Sequence, residues 1–221
     1  MHIEPGIVTG AKIVLSYATA AAAATFTVKT AIATLREQGV GSLLARSAMA
    51  TAAVFTFFQI LPHAPVGVSE VHLILGSSLF LMLGAAPAAI GLALGLLIQG
   101  LFFAPFDLPQ YGMNVTTLLV PLFGLQMLAK RVIAPGTAYV DLSYRQALAL
   151  STAYQGGIVA WVAFWAFYGQ GAAALSSVAT FGAAYMTVVL IEPLVDLALL
   201  AAAKRIRGLE GSGLVTPRLF A

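Results

Sequence analysis

Apolar stretches of roughly membrane-spanning length recur along this chain, and its charged residues are confined mostly to the short connections between them. A bilayer core needs about 20 apolar residues per helix. On that measure, spans are expected at about 11–34, 43–61, 69–84, 86–105, 113–134, 145–168 and 171–203. Of the 221 residues, 60% are hydrophobic and 9% charged, more apolar surface than a water-soluble domain can hide. The expected fold class is an all-α, polytopic membrane helical bundle of about seven transmembrane helices. The break Gly84-Ala85-Ala86-Pro87 suggests a helical hairpin after a short third span.

Orientation follows from the basic residues, because Lys and Arg flanking membrane helices stay on the cytoplasmic side. Lys29, Arg36 and Arg46 flank the first connection, Lys130, Arg131 and Arg145 the fifth, and Lys204, Arg205 and Arg207 follow the last span. The intervening connections, Leu61 to Glu70, Ala104 to Gly112 and Tyr168 to Gly171, hold no Lys or Arg. The N-terminus is therefore expected outside and the C-terminus in the cytoplasm, with Lys12 the single exception. The same distribution explains the net charge of +3 without nucleic acid as a partner. Residues 1–203 read as one transmembrane domain, with 1–10 as an N-terminal segment, and 204–221 as a cytoplasmic tail lying on the membrane surface.

The chain has no cysteine, so any metal must be held by nitrogen or oxygen donors. All three histidines, His2, His63 and His72, fall on the expected outer side, level with Glu4, Glu70 and Asp107. Chance gives that distribution about one time in four under the orientation rule, so clustering alone does not define a site. His2 has further chemistry. Residue two can offer its imidazole, its backbone nitrogen and the adjacent free amine of Met1 to one ion, and His72 can supply a fourth nitrogen. With the amide deprotonated the donors are close to planar, which suits Ni(II) or Cu(II) and disfavours tetrahedral Zn(II). The competing account is a membrane histidine that only hydrogen-bonds a backbone carbonyl.

Met1-His2-Ile3 followed by Gly6 resembles the MHIxxG start of the CbiM/NikM family, the substrate-binding subunits of energy-coupling factor cobalt and nickel transporters. His72 and Gly84 keep the spacing of that family's third-span His and the Gly ending its GLxxxLxG-like stretch. Gln99 lies where the family has a Gln, Tyr111-Gly112-Met113-Asn114 is similar to its LGAN segment, and Ile191-Glu192-Pro193-Leu194 to its IxEGLL. Two departures stand out: Glu4 replaces an acid at position five, and Ser69-Glu70-Val71-His72-Leu73 replaces an SHPTG-like run.

The resemblance implies an N-terminus inserted into the bundle and an ion held by Met1, His2 and His72, which requires an unprocessed start. Candidates around those ligands are Asn114, Glu4, Glu70, Gln99 and His63. Asn114 either holds the terminus or caps a helix; Gln99 pairs across helices or with backbone; Glu70 neutralises the ion or caps a helix; His63 is a loop residue or part of an entry path. No permanent cofactor is implied; Ni(II) or Co(II) is the transported substrate, and the sequence does not choose between them. Implied partners are a transmembrane coupling subunit, two ATPase subunits and a small accessory membrane subunit, in the inner membrane of a bacterium or archaeon. The chain itself contains no GxxxxGK[ST] motif and is not expected to be an enzyme. The alternative is a stand-alone ion- or proton-coupled carrier, with Glu192 and Asp196, four apart on one helix face, as a proton relay.

Overall fold

The computed structural model describes residues 2–221. Its first long element, α1 (Val14–Gln59), is interrupted at Gly39, whose φ of 83° and ψ of 164° lie outside helical space and in a region that favours glycine. The chain reverses there. Ala24 before the break and Thr51 after it would be about 40 Å apart on a straight helix. Yet each lines a groove shared with Ile90 and Leu94 of one other helix. The spans expected at 11–34 and 43–61 are the two arms of this element.

The next expected span, 69–84, is not a membrane-crossing helix. Its start is the second strand of a small hairpin, β1 (Ala64–Val66) with β2 (Ser69–Val71), paired Ala64 to Val71, Pro65 to Glu70 and Val66 to Ser69. Only α2 (Gly76–Leu83) is helical. Its 8 residues extend about 12 Å, well short of a bilayer core. The apolar run conceals this because α2 touches α1 and the four helices that follow it, and so is buried in the bundle centre without needing length.

Beyond Gly84 come α3 (Ala85–Phe102), a 3-10 turn (Pro105–Gln110), α4 (Tyr111–Val132), α5 (Tyr144–Gln170) and α6 (Leu175–Arg205). The second arm of α1 packs tightly on α3. A Cβ added at Gly91 would lie 2.3 Å from Ala50 Cβ, and one at Gly95 would lie 2.6 Å from Val54 Cγ1. Small residues thus let two apolar helices approach closely. Trp165, Tyr154, Tyr185 and Phe58 fill the core, while Leu94, Met127, Leu190 and Leu194 point outward. Large apolar side chains on the outside are costly in water and natural in lipid. Among the described residues, four helical runs are long and apolar enough to cross a membrane; the first contains the Gly39 reversal, and the last the fold-back between α5 and α6. The protein is a multi-pass membrane bundle.

Residues 206–221 do not lie apart from the bundle as a surface tail. Thr216 N–H donates to the Met82 carbonyl (2.9 Å), Ser42 Oγ to the Gly213 carbonyl (2.6 Å) and Arg218 to the Ala134 carbonyl (3.1 Å), and Leu219 is fully buried. Arg46, also buried, donates to the Leu83 carbonyl at 2.8 Å and to Gln38 Oε1, so a cation sits at the C-terminus of α2, where the helix dipole favours one. One end of the bundle is thereby closed by the tail. The hairpin marks the other.

Candidate metal centre

The N-terminal segment joins the hairpin as a third strand-like edge. Ile3 bridges Ser69, the His2 carbonyl accepts from Glu70 N–H (3.0 Å) and Ser69 Oγ (2.8 Å), and Glu4 N–H donates to the Val68 carbonyl (3.1 Å). On its other side Ile3 N–H donates to Asn114 Oδ1 at 2.9 Å. Residues 2–4 are thus held between β2 and α4, with His2 and Ile3 both buried. The turn presenting β2 depends on Gly67. It has a φ of +64°, and a Cβ there would fall 2.2 Å from the Ser177 carbonyl oxygen of α6.

His72 follows β2 directly and is 1% exposed. Its Nε2 lies 2.8 Å from Glu70 Oε2, the Phe57 backbone also faces the ring, and its carbonyl accepts from Tyr185 at 3.4 Å. The His2 and His72 rings are 5.6 Å apart between centroids, and Phe58 packs against both. His2, Glu70 and His72 each present a possible ligand atom within 4.8 Å of the others. Burial holds both imidazoles below their ordinary value of 6.5, keeping them neutral and their nitrogen lone pairs free for a metal. His2 Nε2 and His72 Nδ1 have no well-aligned hydrogen-bond partner among the described residues. Two neutral imidazoles and a carboxylate, with no thiolate, suit a borderline divalent ion such as Co(II) or Ni(II).

Asp107 was not among the candidates, yet it is 6% exposed and its Oδ2 lies 3.0 Å from His2 Nδ1. A carboxylate against a ligating imidazole orients the ring and raises its basicity. The available signal was an acid inside the apolar turn Pro105–Gln110 on the same expected side as the histidines. Glu4 joins the segment through its backbone, and burial, with Glu70 and Asp107 nearby, raises its pKa. His63 is exposed and stacks on His72 (4.8 Å, 11° between planes), with its Nδ1 3.2 Å from the Leu61 carbonyl. Gln99 is buried in α3, and its Oε1 has no hydrogen-bond partner among the described residues. Asn114 lies inside the first turn of α4 and is not its cap, which is Gln110. Met1 lies outside the described residues. Lys12, the exception to the charge pattern, donates to the carbonyls of Tyr168 and Gly169, both at 3.0 Å, at the C-terminal end of α5.

Fold and site together define a polytopic membrane protein with a buried histidine–carboxylate cluster at one end. The chain belongs to the CbiM family, described as the cobalt uptake substrate-specific transmembrane region, whose family model matches residues 2–209. It is a membrane component of transport and not an enzyme. No curated protein and no solved structure gave a match.

Proposed function

We propose that this chain captures Co(II) or Ni(II) at the outer face of a bacterial or archaeal plasma membrane, as the substrate-specific subunit of an energy-coupling factor transporter. The ion is bound by the Met1 amine, the backbone nitrogen and imidazole of His2, and His72. Glu70 and Asp107 offset its charge and orient the rings, and Asn114 holds the terminus in place. ATP is hydrolysed on separate ATPase subunits that act through a transmembrane coupling subunit. The observation that carries this proposal is the meeting of His2 with Glu70 and His72, about 70 positions away in sequence, within one ligand-sized volume.

Calorimetry of Co(II) and Ni(II) binding to the purified chain tests it. His2→Ala, His72→Ala and residues added before Met1 are each expected to abolish tight binding. Retention of affinity in all three would refute the terminal site, and the ion preferred by the unaltered chain identifies the substrate.

A further inference from the structure

A second polar cluster lies deeper in the bundle. Tyr185 of α6 touches the His72 carbonyl; Glu192 is seven residues further along and Asp196 eleven, about 10 and 16 Å down the helix. Both carboxylates are buried, at 0% and 1% exposure. Ser77 donates to Asp196 Oδ2 (2.7 Å) and Ser78 to Oδ1, while Ser151 Oγ and Gln155 Nε2 both donate to Glu192 Oε2 (2.7 Å each). These partners all donate to the carboxylate oxygens. No Lys, Arg or His pairs with either acid among the described residues. The buried Arg46 is engaged instead by Leu83 and Gln38. Two such carboxylates without a cation are expensive at this depth.

Further oxygens converge here. Among the described residues, Glu192 Oε1, Gln155 Oε1 and the Tyr154 hydroxyl have no well-aligned hydrogen-bond partner, and all three residues are fully buried. The Gln155 amide is tethered to Glu192 through its nitrogen, so its carbonyl oxygen, on the same carbon, lies in the neighbourhood of Glu192. Tyr154 packs on Gly76, immediately before Ser77. Pro193, between the two acids, supplies no N–H to the Val189 carbonyl one turn back.

Taking the proposed outer site as its starting point, we propose that Glu192, Asp196, Gln155 and Tyr154, with Ser77 and Ser78, form an inner, all-oxygen site for the same divalent ion. Oxygen donors bind Co(II) and Ni(II) more weakly than a four-nitrogen set and favour six-coordinate geometry. An ion released from the histidines therefore meets a site that holds it loosely. Both sites share the segment 72–78, with His72 at one end and Ser77 and Ser78 at the other. Between them Leu75 adopts a left-handed φ of 54°, strained for a branched side chain.

The test is Co(II) titration of the full chain in lipid nanodiscs, followed by calorimetry and electron paramagnetic resonance. Two equivalents are expected: a tight one with the low-spin signature of planar nitrogen ligation, and one at least tenfold weaker with the high-spin signature of oxygen ligation. Glu192→Gln and Asp196→Asn should each remove the second and keep the first, and Tyr154→Phe should weaken the second without changing charge. His72→Ala should remove the first and keep the second. A single equivalent in the unaltered chain overturns the inner site whether or not the variants fold, including where Glu192→Gln changes only the pH dependence of uptake, as a proton relay would. A high-spin equivalent that persists in both carboxylate variants overturns it too. A first equivalent that survives both His2→Ala and His72→Ala refutes the outer site while leaving the inner one standing.

Discussion

Asn114 accepts the Ile3 N–H in a buried setting, so Asn114→Leu leaves that donor unsatisfied at about 1–3 kcal/mol. The proposed ligands sit on the segment it anchors. Co(II) affinity measured by calorimetry is expected to fall roughly 10- to 100-fold, as for other residues that orient metal ligands, whereas Asn114→Asp keeps the acceptor and most of the affinity. The histidines set a pH dependence. Burial lowers both pKa values below the ordinary 6.5, so below about pH 6.5 the unfolded chain takes up protons that the folded chain refuses. Stability is therefore complete above that pH and declines as pH falls through it. Thermal unfolding of the metal-free chain between pH 5 and 8 should show the decline, and a variant with both histidines replaced by Gln should flatten it. Metal affinity should also weaken as pH falls, because protons compete with the ion for the proposed nitrogen donors.

At the scale of elements, the hairpin positions the outer cluster: β2 binds the His2 carbonyl and leads directly into His72. Gly67→Val meets both the +64° φ and the Ser177 carbonyl 2.2 Å away. Strain of this kind costs about 1–3 kcal/mol, and β2 must also shift away from α6. Loss of both thermal stability and Co(II) affinity is expected. An unchanged affinity would show that the hairpin does not position the ligands. The sequence offered little sign of this element, because two three-residue strands with Pro65 at an edge do not produce an alternating pattern long enough to read. The apolar run continuing through α2 then looked like one helix. By contrast, the long helices were legible, since only helices and closed barrels satisfy their backbone in lipid.

Across the whole molecule, the tail and the hairpin occupy opposite ends of α2. Ending the chain after Arg205 removes the cover provided by Val215 and Leu219, side chains whose burial stabilises by about 1.5–3 kcal/mol each. It also leaves the Met82 carbonyl without its donor from Thr216. A lower unfolding temperature is expected, with Co(II) affinity at the far end kept. The proposed orientation is testable because the chain has no cysteine. A cysteine at Ala64 should react with an impermeant thiol reagent in intact cells, and one at Gly136 only after the membrane is opened; the reverse result would invert the topology.

Composition and the spacing of apolar runs determined that this chain is a helical membrane protein, because lipid leaves the backbone few alternatives. Donor chemistry and family resemblance pointed to His2 and His72, whose rings lie 5.6 Å apart. Only the tertiary structure decided that residues 2–4 lie along β2, that Asp107 faces His2, and that Glu192 and Asp196 meet Ser151, Gln155, Ser77 and Ser78. Those contacts join residues up to 119 positions apart. Helical or strand periodicity reports which face a side chain occupies, but not which distant element that face will meet.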